Sequence, residues 1–180
     1  YSILRGKDLE TGEFSEQRRI DQFQFLKDAQ SRVLNLTYWH DFLKAIALSG
    51  YRSKDYISSQ TNLMFTYTLY LIGRTEYRVE EFKLRQVIAK WFFMSSLTGR
   101  FTGSPESAME FDLAKFRSVT NADDFLSELE QICSEVFTDD YWAINLPNNL
   151  ATSSPRSPSL FAYYASLVLL EADVLFSKQK

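Results

Sequence analysis

Val79-Glu80-Glu81-Phe82-Lys83-Leu84-Arg85-Gln86-Val87-Ile88-Ala89-Lys90-Trp91-Phe92-Phe93-Met94-Ser95-Ser96-Leu97 is the stretch whose reading decides the fold. Leu84, Val87, Ile88, Trp91 and Met94 recur at steps of three and four, which puts them on one side of an α-helix. Phe92 and Phe93 widen that stripe. Glu81 and Arg85 stand four apart in the order that favours an ion pair along a helix. Gly99 then stops the helix.

Downstream, Ser104-Pro105-Glu106 reads as the start of a second helix. The serine hydroxyl caps a free N–H, the proline presets φ, and the carboxylate faces the positive end of the helix dipole. Met109, Leu113 and Phe116 give it an apolar face. Thr120 or Asn121 caps the next helix, with Asp123 and Asp124 in its first turn and Phe125, Leu126, Leu129, Ile132, Cys133 and Val136 as its core stripe. Residues 138–157, rich in Pro, Asn and Ser, read as a long loop. Ser157-Pro158 repeats the cap-and-proline start, and the last helix is expected over Leu160–Phe176.

Upstream, Leu63–Ile72 alternates like a strand but is apolar on both faces. With no partner strand elsewhere, it is assigned as a buried helix ended by Gly73. Thr37 reads as the N-cap of a helix whose stripe is Trp39, Phe42, Leu43, Ile46 and Ala47, closed by Gly50. Ile20, Phe23, Leu26 and Val33 recur at helical spacing before it, and residues 1–15 carry no period and read as a flexible start. The sum is an all-α, bundle-like fold of six or seven helices in a single domain over 1–180, read as part of a larger chain.

The 180 residues carry 6 Gly and 4 Pro, too few for the turns that an all-β domain of this size needs. A net charge of −3 gives no global basic footprint for nucleic acid. The one cysteine, Cys133, excludes an internal disulfide and a cysteine-based zinc site, and fits a reducing, cytoplasmic setting. No apolar run reaches membrane-spanning length. The single histidine, His40, lies on the polar side of its helix and reads as a surface residue. Phosphate-loop and metal-ligand spacings are absent, so no catalytic residue, metal ligand or cofactor is assigned. An independent enzyme would need acids gathered around Asp112 or Asp139. Charge is unevenly spread: Arg74, Arg78, Lys83, Arg85, Lys90 and Arg100 outnumber Glu76, Glu80 and Glu81, whereas 121–145 holds seven acids and no base.

The segment Lys90-Trp91-Phe92-Phe93-Met94-Ser95-Ser96-Leu97-Thr98-Gly99-Arg100-Phe101-Thr102-Gly103-Ser104-Pro105-Glu106-Ser107 resembles the Trp-Phe…Ser-Gly-Arg-Tyr-Ser…Ser-Glu segment of the GmrSD-type, modification-dependent restriction endonuclease family, with Phe101 at a Tyr position. Pro155-Arg156-Ser157-Pro158 and Ala172-Asp173-Val174-Leu175-Phe176-Ser177 resemble the segment before that family's HNH nuclease part.

The resemblance implies a helical region between a nucleotide-hydrolysing ParB-like domain and an HNH nuclease, in a defence protein acting on DNA. The nucleotide signature and the HNH histidines are missing here, so no catalytic role transfers. Trp91, Arg100 and Glu106 transfer as signature positions, with Arg100 expected to meet its own helix end or the carboxylate of Glu106. The expected role is positional. Partners would be the other domains of the parent chain and DNA backbone, the latter met by Lys83, Arg85, Lys90 and Arg100. The competing expectation is a protein-interaction module without nucleic-acid contact.

Overall fold

Why the quoted stretch coils is visible at its first turn in the computed structural model, which describes residues 3–8, 11–151, 154 and 156–172. The Glu80 carboxylate accepts from the N–H groups of Phe82 (2.8 Å) and Lys83 (2.9 Å), so the helix opens at Glu81, two residues after the expected Val79. Among the described residues there are eight α-helices: α1 (Glu16–Val33), α2 (Leu36–Leu48), α3 (Gln60–Thr75), α4 (Glu81–Leu97), α5 (Pro105–Lys115), α6 (Ala122–Val136), α7 (Leu146–Ala151) and α8 (Pro158–Leu169). The described residues hold no strand, only an isolated bridge between Lys7 and Phe14. The fold is all-α.

The chain divides into two compact units, one up to His40 and one from Asp41 onward, where the sequence suggests one domain. In the first unit, the Ser15 hydroxyl caps α1, and Arg18 pairs with Asp8 at 2.6 Å. Residues 3–5 form a 3-10 turn. No side chain of α1 is buried, although Ile20, Phe23, Leu26 and Val33 keep their helical spacing. The cap of α2 is Asn35 rather than the expected Thr37. Its side-chain oxygen accepts from Thr37 N–H (2.9 Å) and Tyr38 N–H (3.3 Å), which places the helix start two residues earlier.

The second unit is built around α4, which packs against α3, α6 and α8. Trp91, Phe92, Leu84, Ile88 and Met94 of α4 are fully buried, as are Leu69 and Tyr70 of α3 and Phe125, Leu129 and Ile132 of α6. Phe42, Ala45 and Ile46 are the buried side chains of α2, whereas Leu43 and Ala47 of the expected stripe lie exposed. The ambiguous Leu63–Ile72 is helical, inside α3.

Gly73 does not end that helix. It lies within α3, where an added Cβ would come within 2.7 Å of both Leu84 Cδ1 and Phe125 Cε1. Its role is close helix packing, so the missing side chain marks an approach and not a stop. Gly50 does close α2, at φ +88°, and an added Cβ there would meet the Ala165 carbonyl oxygen of α8 at 2.3 Å.

Two further expectations change. Residues 138–157 are not a loop throughout: Tyr141–Asn145 forms a π-helical turn that runs directly into α7. Pro147 follows that turn as the second residue of α7, where its missing N–H removes one donor from the continuous helical run. Phe137, Tyr141 and Trp142 pack ring against ring, with centroids 4.9–5.5 Å apart. The last helix runs from Pro158 to Leu169, not over Leu160–Phe176, and Ser157 caps it as expected. Glu171 just beyond it turns left-handed at φ 50°. Residues 173–180, and with them most of the Ala172–Ser177 resemblance, lie outside the described residues.

Candidate functional site at the junction of α4 and α5

The signature segment folds into the end of α4, a tight turn and the start of α5. Gly99 adopts φ +60°. Its N–H donates to the Ser96 carbonyl (3.2 Å), and the Arg100 N–H donates to the Ser95 carbonyl (3.1 Å). This paired closure is the Schellman arrangement, in which a left-handed residue satisfies the last free carbonyls of a helix. It fixes Arg100 one residue past the turn. Ser104 stands at the cap position of α5, but its hydroxyl makes no capping bond, contrary to the expectation. Pro105 presets that start, with Glu106 in the first turn.

Arg100 then reaches Asp112, not Glu106. Its Nε donates to one carboxylate oxygen at 2.8 Å and its terminal nitrogen to the other at 2.5 Å. Asp112 has no exposed side-chain surface, whereas Arg100 keeps about a fifth of its own. The hydrogen bond to Asp112 raises the Arg100 pKa above its ordinary value, and partial burial opposes that. The guanidinium also sits 5.9 Å from the ring of Trp91, within the range of a cation–π contact. Two of the three signature residues, Trp91 and Arg100, thus form one buried unit with Asp112. Glu106 stands apart, exposed in the first turn of α5.

Asp112 was singled out in the sequence only as a possible enzymatic acid, and its pairing was missed. The available signal is its position: an acid between Met109 and Phe116 on the inward side of α5. An acid there needs a buried cation, and Arg100 is the nearest one past a helix end.

The four expected DNA contacts separate. Arg100 is committed to Asp112. Arg85 pairs with Glu81 along α4. Lys83 and Lys90 lie exposed, seven residues apart on one face of α4, and neither ammonium forms an ion pair among the described residues, although the Glu80 carboxylate accepts from the Lys83 backbone N–H. Beyond its desolvation, the Cys133 thiol has its pKa lowered by the charge of Lys90 of α4 and raised by that of Glu130 of α6.

The remaining titratable residues do not converge. His40 is exposed. Asp139 and Asp140 are exposed, and Asp124 accepts from Thr120 and Asn121 at the start of α6. Cys133 is fully buried, and desolvation pushes its thiol up to about 11. Among the described residues, no group of three or more His, Cys, Asp or Glu could hold a metal ion. No described helix is long and apolar enough to cross a membrane.

A second feature of this region is a groove of about 480 Å³ between α3 and α5. Phe65, Met109, Leu113 and Ala114 line its apolar part, and Glu106, Glu110 and Arg117 its polar edge. In comparisons with known proteins, no protein-family model, no curated protein and no solved structure matches the chain.

Proposed function

We propose that this chain is a helical positioning domain of a GmrSD-like DNA endonuclease, with no catalytic residue of its own. In this reading it holds a nucleotide-hydrolysing domain and a nuclease domain in register, in the reducing cytoplasm that a lone buried cysteine suits. One observation carries the reading: the signature positions Trp91 and Arg100 are tied up in a buried ion pair and a ring contact. Residues kept for chemistry would face substrate. These two instead set the angle at which α5 leaves α4.

Positioning is tested in the full-length parent with Asp112→Asn. The neutral amide leaves Arg100 half-buried without its counter-charge, and breaking such a pair costs about 3–5 kcal/mol when burial is complete. Arg100 keeps some solvent, so the loss lies at the low end. Nucleotide hydrolysis is expected to persist while DNA cleavage falls at least tenfold, with folding of the helical domain verified separately by an unchanged helical circular-dichroism signal at the assay temperature. Cleavage and hydrolysis both at parental rates would overturn the positional role.

A further inference from the structure

We draw no further inference here: the strongest candidate, the groove between α3 and α5 lined by Phe65, Met109 and Leu113, carries nothing because nothing in the structure shows what covers it.

Discussion

Helices α1 and α4 differ in length by one residue, 18 against 17, and both carry apolar side chains at helical spacing. Ten residues of α4 are buried and none of α1. What holds each helix therefore differs. In α1 the support is local: the Ser15 cap, the ion pair of Arg19 with Glu16, and the bonds of Gln17 to Asp21 and Gln24 to Asp28, both at 2.9 Å. Each of these side-chain pairs contributes a few tenths of a kcal/mol, roughly, and the cap about 1 kcal/mol. In α4 the support is burial against three other helices, which dominates helix stability in proteins. Spacing announces that a helix forms; it does not say whether its stripe is covered.

The largest effect should come from cutting into that covered stripe. Trp91→Ala removes a side chain with no exposed surface and should cost about 3–5 kcal/mol. Phe25→Ala in α1, where the ring is 73% exposed, should stay within about 0.5 kcal/mol. Denaturant titration of the two variants measures both. Equal losses would erase the distinction between the helices.

A smaller loss is expected at Gly73, where the same contrast can be turned around. On an exposed helix, Gly→Ala stabilises by up to about 1 kcal/mol. In α3 the new methyl collides with Leu84 of α4 and Phe125 of α6, and overpacking of this kind costs about 1–3 kcal/mol. Gly73→Ala should therefore lower the melting temperature. A rise would mean that the helices separate without penalty.

The same residue shows where sequence reading ends. The all-α class was legible because the period of three to four runs through α3, α4 and α6, and few residues break it. Gly73 was misread because glycine at a helix end and glycine at a close crossing look alike without the neighbouring helix. Asn35 and Thr37 both cap well, and only their bonds to backbone N–H groups decide between them. The π-helical turn at Tyr141–Asn145 has no period of its own. It rests on rings meeting across a turn, in a segment whose prolines and asparagines suggest a loop. Of the candidate site, the residues Trp91 and Arg100 could be named, but not their union, because Asp112 lies twelve residues from Arg100 and only the fold brings them together.

Burial also sets a pH dependence that α1 cannot share. The Cys133 thiol ordinarily titrates near 9.0 and is pushed up to about 11 by desolvation. The folded state thus keeps its proton where the unfolded state loses it. The associated stability is intact below pH 9 and drains away as pH rises from 9 toward 11. By pH 10 about 1 kcal/mol should be gone. Buried Tyr70, raised to about 12, and Tyr51, raised further, add to the loss at still higher pH. Comparing the parent chain with Cys133→Ala at pH 8 and pH 10 isolates the thiol: the variant should lose less stability over that interval. Identical slopes would place the thiol in contact with water.

The smallest effect on folding is expected on the outer face of α4, and there the comparison bears on function. Lys83 and Lys90 are exposed and carry no ion pair among the described residues, so Lys83→Glu with Lys90→Glu should change stability by no more than about 0.5 kcal/mol. If these two lysines meet DNA phosphates, the double variant of the full-length parent should bind DNA more weakly at low salt. Its salt dependence should also be shallower by about two ions, one for each lost contact. Binding and salt slope equal to those of the parent would remove DNA from this face. The two-ion change distinguishes these cases because long-range repulsion from two new carboxylates weakens binding, whereas the slope counts counterions released at the contact itself.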